Sequence, residues 1–391
     1  MKTRRISNIM LAIVGWLFIQ NPLFAQTDKQ QMEAEIASLM EEFHAVGLAI
    51  AVVKDGTLHY TKSFGYKNLE NQAPLQENHL FRIASISKSF TSTAIMQLVE
   101  AGHFTLDSDF SDLVGFQVRN PKYPDQVITL RMVLSHTSSI NDSQGYFRLD
   151  VIDPSKNADW AKSYNDYAPG SQYQYCNLNF NLSGAVLERF TEVRFDQHIN
   201  DRILRPLGLY GGYCIDSLDN SLFASLYTYN KENGEFRVSP DAYHPRREEL
   251  KDYTLGYSTP IFSPTGGLKI SAPDLAKYMI MHMNYGVSNG VQILQPHSAR
   301  EMQQAVLASS GYGLALTNAS NYIPGESMVG HTGSAYGLYS NMFFHPEKKF
   351  GLVLITNGCL ETYEVGYIAL LKKSANVLYQ HLIAEKPANI L

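Results

Sequence analysis

The chain is 391 residues long, 45% hydrophobic and 18% charged, with a formal net charge of −5. That length and composition support a large buried core and exclude a disordered chain, and the acidic balance argues against nucleic acid as a partner. Three cysteines, Cys176, Cys214 and Cys359, are too few and too widely spaced for a disulfide framework, although one bridge among them is compatible with the sequence.

In chain order, Lys2, Arg4 and Arg5 precede an apolar run from Ile9 to Ile19 and the tripeptide Leu23-Phe24-Ala25. This pattern predicts a secretory signal over residues 1–25, cleaved before Gln26. The run is too short to span about 30 Å of hydrocarbon, and no cysteine follows it to accept a lipid. The mature protein is therefore expected to be periplasmic or secreted. Met32 to Glu42 reads as a helix, and Val46 to Tyr66 as two strands about Asp55-Gly56, a strong hairpin signal. The next helix, Ser85 to Ala101, places Ile86, Phe90, Ile95 and Leu98 near one face and stops at Gly102. Further helices are expected at Leu130–Leu134, Asn177–Thr191 and Phe195–Arg202. Residues 213–262, rich in Tyr, Gly, Pro and polar residues, read as a long loop region or a cover over a site. Strands are expected at Gly267–Ile270, Gly313–Thr317, Gly337–His345 and Phe350–Thr356, with Pro346–Lys349 as the turn between the last two. A final helix is expected over Tyr363–Ile383. Strands at both ends with helices between them predict an α+β fold. Its antiparallel sheet draws on residues 26–82 and 262–391, and residues 83–261 form a mainly helical insert.

Ser85-Ile86-Ser87-Lys88 is the one Ser-x-x-Lys in the chain. Residues three apart on a helix are neighbours, so a buried Lys88 without its extra proton could deprotonate Ser85 and make it a nucleophile. Taken alone, the same tetrad also fits a helix-capping serine followed by a surface lysine. Tyr175-Cys176-Asn177 falls just before a helix, where a packed Tyr and a capping Asn would serve equally. His331-Thr332-Gly333-Ser334 falls just before a strand. No pair of cysteines has zinc-ligand spacing, no His-Glu-x-x-His occurs, and the Gly-x-Ser-x-Gly of α/β-hydrolases is absent.

In this order, 90 and 246 residues after the serine, the motifs resemble those of the serine β-lactamase and penicillin-binding-protein superfamily. The nearest branch is that of the class C β-lactamases, DD-carboxypeptidases and esterases. Ile128–Ser138 and Pro264–Leu268 resemble its framework segments, so the likeness covers most of the chain beyond the leader. The resemblance implies an acyl-enzyme on Ser85, with Lys88 and Tyr175 sharing proton handling and the charge of Lys88 lowering the pKa of Tyr175. It implies an oxyanion hole from the backbone N–H groups of Ser85 and Ser334, and Asn177 bound to the substrate amide or to the lysine. His331, Thr332 and Gly333 would line the substrate along a sheet edge, the glycine admitting it close to the backbone.

Many relatives carry Lys where this chain has His331. A charged His331 is expected to hold a substrate carboxylate and to lose its charge near pH 6.5. His136 is expected to be structural, and Tyr339-Ser340-Asn341 to be a second Tyr-x-Asn inside a strand. The resemblance requires neither metal nor organic cofactor. The partner it implies is a small-molecule or peptide substrate with an amide, lactam or ester carbonyl, and the oligomeric state is not readable from the chain. The expected activity is that of a DD-carboxypeptidase-like or related amide hydrolase. The alternatives are an esterase or acyltransferase with the Tyr-rich segment 213–262 as an apolar wall, a β-lactamase, and a catalytically silent binding protein on the same scaffold.

Overall fold

Asp55 and Gly56 take positive φ values of 52° and 71°, the two-residue turn that suits the twist of a hairpin. They join β1 (Gly47–Lys54) to β2 (Thr57–Gly65). Four more strands come from the C-terminal part of the chain: β3 (Thr317–Ala319), β4 (Met328–Ala335), β5 (Leu338–His345) and β6 (Phe350–Thr356). The structure, a computed structural model, describes residues 22–385. The basic and apolar part of the expected leader lies outside the described residues.

The six strands form one antiparallel sheet in the order β3-β4-β5-β6-β1-β2. Its seam pairs β1 with β6, Ala51 facing Val353, so the sheet is made from both ends of the chain, as expected. Leu48, Ile50 and Val52 alternate with Ala49, Ala51 and Val53, yet all six are buried. The first set packs with Leu352, Leu354 and side chains of two helices, α1 (Pro22–Glu42) and a C-terminal helix, Ala369–Leu378. The second set belongs to the core that continues into the helical layer. A sheet covered on both faces explains why these strands read as unbroken apolar runs rather than as an apolar–polar alternation.

On the second face lie α2 (Ser87–Glu100), α3 (Asn177–Thr191) and α4 (Ala272–Met283). Phe90 of α2 stacks on Tyr278 of α4 with ring centroids 3.6 Å apart. Helix α4 was not expected. It is capped by Ser271, whose hydroxyl accepts from Asp274 N. The helix Pro296–Gln303 also went unanticipated.

Several expected elements change. Gly267–Ile270 shrinks to Lys269–Ile270, which pairs with Phe81–Arg82 and Gly211–Gly212 in a separate small sheet. Gly313–Thr317 is not a strand, because Ala315 takes a left-handed φ of 64° and its N–H bonds to Leu134 O. Only Thr317–Ala319 joins the sheet. The final helix starts at Ala369, because Tyr363–Glu364 and Tyr367–Ile368 form a hairpin first. The helix expected at Phe195–Arg202 runs from Phe195 to Ile199 and continues as a π-turn over Asn200–Leu204.

Within residues 213–262 a two-stranded hairpin, Tyr227–Asn230 with Glu235–Val238, is flanked by short 3₁₀ turns. The end of this segment is pinned to α3 by Glu188, a fully buried carboxylate. It accepts from Phe195 N at 2.7 Å, Gly256 N at 2.8 Å, Thr259 Oγ1 at 2.6 Å and the Tyr253 hydroxyl. Four donors offset the cost of burying a charge. The three cysteines are free and buried. Burial pushes all three thiols up, Cys359 to about 12.

Candidate active site

Ala84, with φ of 48°, bends the chain out of the strand Phe81–Arg82 into a 3₁₀ turn, Ala84–Ile86, that leads into α2. A left-handed alanine costs on the order of 1 kcal/mol, and it stands directly before Ser85. The turn leaves Ser85 partly accessible while Lys88 is fully buried. Lys88 Nζ lies 3.0 Å from Ser85 Oγ, 2.9 Å from Asn177 Oδ1 and 2.9 Å from Thr265 O. The Tyr175 hydroxyl lies 2.7 Å from Ser85 Oγ. The three residues expected to share proton handling thus meet at one oxygen.

Desolvation brings the Lys88 ammonium down to about 7, against the opposing pull of Asp142 and Cys176. A neutral lysine has two hydrogens and one lone pair. With the hydrogens on Asn177 Oδ1 and Thr265 O, the lone pair faces Ser85 Oγ. Tyr175 behaves differently from the expectation. Burial pushes its phenol up, and only the Ser85 hydrogen bond pulls the other way. The lowering expected from Lys88 is not seen, because desolvation dominates. Tyr175 is therefore a neutral hydrogen-bond donor to Ser85.

His136 and Ser87 support the site rather than enter it. His136 Nδ1 accepts from Cys176 N at 3.1 Å, and its ring lies 4.3 Å from that of Tyr175. Burial keeps it neutral. Ser87 is buried and accepts from Leu268 N. Ser138 Oγ donates to Asn179 Oδ1. Neither serine competes with Ser85 as nucleophile.

The His331–Ser334 segment lies inside β4 rather than before a strand. Strand β3 pairs only with Met328–Gly330 of β4, so from His331 onward β4 is a sheet edge, as expected. The role of its histidine changes. His331 is buried; its Nδ1 lies 2.6 Å from Thr332 O and its Nε2 2.9 Å from the Tyr312 hydroxyl. A carbonyl can only accept, so Nδ1 carries the proton and Nε2 accepts from Tyr312. Desolvation and the nearby Lys88 bring the imidazole down to about 4. It carries no charge with which to hold a carboxylate at neutral pH.

Gly333 also has a reason other than the expected one. A Cβ there would lie 2.3 Å from Ile83 O and 2.4 Å from Ser340 Oγ, and Ser340 Oγ itself donates to Ile83 O. The missing side chain lets β4 touch Ile83, two residues before Ser85. Gly333→Ala is accordingly expected to lower melting stability by roughly 1–3 kcal/mol and to slow Ser85 labelling by a fluorophosphonate about tenfold or more. Thermal melts and labelling rates measured side by side check it.

Two contributors were missed. Thr265, within the framework segment that was noticed, supplies its carbonyl to Lys88 and its hydroxyl to Asn177 Oδ1 at 2.9 Å. Asp142 lies four residues past a framework segment and 35 residues before Asn177, so no local spacing marked it. Of the tyrosines expected to form an apolar wall in 213–262, Tyr213 and Tyr227 are buried and Tyr253 bonds Glu188, while Tyr257 is exposed. Exposed aromatics outside that segment include Phe147, Tyr173 and Tyr336.

A sheet built from both termini, an inserted helical layer and a lysine–tyrosine pair on one serine hydroxyl define the serine hydrolase class with the β-lactamase fold. The chain belongs to the Beta-lactamase family, whose model matches residues 32–370. It is 27% identical over 356 residues to penicillin-binding protein 4 of Amycolatopsis lactamdurans, covering 86% of this chain and 87% of that one. The octameric penicillin-binding protein homologue from Pyrococcus abyssi superposes with a TM-score of 0.71 at 27% identity, over 90% of this chain and 78% of that one. EstCE1, a hydrolase with promiscuous acyltransferase activity, shares the fold with a TM-score of 0.71 at 21% identity, over 90% of this chain and all of that one.

Proposed function

We propose that the protein is an exported hydrolase that forms an ester on Ser85 and cleaves the amide bond of a small peptide, in the manner of a DD-carboxypeptidase. The observation that carries the acyl-enzyme reading is the Ser85 oxygen held between Lys88 Nζ and the Tyr175 hydroxyl. Neutral Lys88 takes the hydroxyl proton as Ser85 Oγ bonds to the carbonyl carbon. The backbone N–H groups of Ser85 and Ser334 hold the oxyanion. As the carbon–nitrogen bond breaks, the proton on Lys88 returns through Tyr175 to the leaving amine. Water, deprotonated by the same pair, then releases the acyl group. Likeness to a penicillin-binding protein over most of both chains supports a peptide substrate, and the basic and apolar leader supports export.

A second reading, an esterase or acyltransferase, is favoured by the neutral His331 and the exposed Phe147, Tyr173 and Tyr336. Intact mass after incubation with a penicillin and with a fluorophosphonate, together with turnover of a D-Ala-D-Ala peptide and a p-nitrophenyl ester, separates the readings. The peptidase reading expects both adducts on Ser85 and release of D-alanine. Ester turnover without peptide cleavage would favour the second reading, and an unchanged mass with both reagents would leave a silent scaffold.

A further inference from the structure

Asp142 belongs to none of the three motifs, yet its carboxylate is the hub beneath them. Oδ2 accepts from Asn177 N at 2.8 Å and from Asn177 Nδ2 at 2.9 Å. Oδ1 accepts from Leu178 N at 3.0 Å and from Cys176 Sγ at 3.2 Å. A carboxylate thus caps the first turn of α3, where unpaired N–H groups favour negative charge.

An ordinary helix cap would need only the two backbone bonds. The bond to Asn177 Nδ2 does something else. It fixes which way the side-chain amide points, since its nitrogen must face Asp142 and its oxygen must face Lys88 Nζ and Thr265 Oγ1. Turning the amide over would set two nitrogens with hydrogens, Lys88 and Asn177, against each other. We infer that Asp142 is a positioning residue for acylation: its carboxylate locks the Asn177 amide that holds Lys88 against Ser85, and sets a negative charge behind that lysine. The inference rests on the acyl-enzyme reading of Ser85.

The electrostatics of the pocket single out the same residue. Facing Lys88 are Ser85 at the entry to α2, and Tyr175, Cys176, Asn177 and Phe180 at the start of α3. Thr265 O, His136 and His331 complete the set. Burial pushes Tyr175 and Cys176 up and both histidines down, so each of these is uncharged near neutral pH. Asp142 remains as the charged neighbour, and it is the largest influence opposing desolvation of Lys88. The sign follows. A nearby anion favours the ammonium, so removing it lets Lys88 lose its proton at lower pH, and the acid limb of acylation should move down.

The test is the pH dependence of Ser85 labelling by a fluorophosphonate, with thermal melts, for the wild type, Asp142→Asn and Asp142→Glu. Asp142→Asn is expected to shift the acid limb down by about one unit and to lower the plateau rate roughly tenfold or more, because the Asn177 amide loses its lock. Asp142→Glu keeps the charge and should keep the limb, with a reduced plateau because the longer side chain displaces Asn177. A residue that merely capped the helix would lower the melting temperature and leave the limb alone, which would overturn the inference. So would equal shifts in both variants, or a wild-type plateau in Asp142→Glu, and that second variant decides the matter if Asp142→Asn does not fold. A wild type that takes no label on Ser85 would instead sink the acyl-enzyme reading and this inference with it.

Discussion

Ser85→Ala is expected to abolish turnover and covalent labelling, with a loss of at least about 10⁴-fold, because residues that act as one nucleophilic unit fail together. Ser85 Oγ is the atom on which Lys88 and Tyr175 converge, so no neighbouring group inherits its place. Ser87 is buried and bonded to Leu268 N, and Ser138 is committed to Asn179. The fold should survive, since Ser85 sits at a partly accessible turn where water can satisfy the Tyr175 hydroxyl. The expected loss of stability is about 1 kcal/mol or less. Intact mass after fluorophosphonate treatment and a thermal melt test both halves. An adduct that persists on the variant, mapped to any other residue, would dismantle the site assignment.

Lys88→Arg is expected to lower kcat/KM at least about a hundredfold, although it keeps a cation at the same place. The guanidinium stays protonated at every usable pH and offers no lone pair to the Ser85 hydroxyl. In the wild type, desolvation brings Lys88 to about 7, which fixes the direction of the pH profile. Below that value the lysine is an ammonium and cannot accept, so kcat/KM should rise with pH through about 7 and then level off. His331, already neutral above about 4, should leave no limb of its own near pH 6.5. Profiles for the wild type and Lys88→Arg on a neutral p-nitrophenyl ester check both statements. A variant retaining a tenth of wild-type activity, or a wild-type rate flat from pH 5 to 9, would remove Lys88 from the base role.

The limits of reading this fold from sequence have physical causes. Phe350–Thr356 was legible to the residue because turn signals bound a short apolar run. Asn177–Thr191 was legible because the turn-rich stretch before it marks where a helix starts, although Leu178 to Glu188 are all buried. Helix α4 escaped although Ser271, Pro273 and Asp274 spell a helix start. Leu275, Ala276, Tyr278, Met279, Met281 and Met283 are all buried between sheet and helices, and only the Asp274–Lys277 pair marks a polar side. Leu314 and Leu316 imitate a strand by alternation, but the left-handed Ala315 between them turns the chain.

At the site, residue types were readable and their states were not. Ser85, Lys88 and Tyr175 come together as their motifs implied. The neutrality of His331 depends on burial and on Lys88, which is remote from it in sequence. The role of Gly333 depends on Ile83, brought against it by the folded chain.

The three buried, unlinked thiols carry a consequence for how the protein is made. Each thiol is pushed up by burial, so none is a reactive thiolate near neutrality, and no cross-link among them holds the fold. Acquiring the native structure therefore waits on no oxidase or isomerase. The polypeptide can mature in a reducing milieu as readily as in an oxidising one, and glutathione has no covalent bond in it to break.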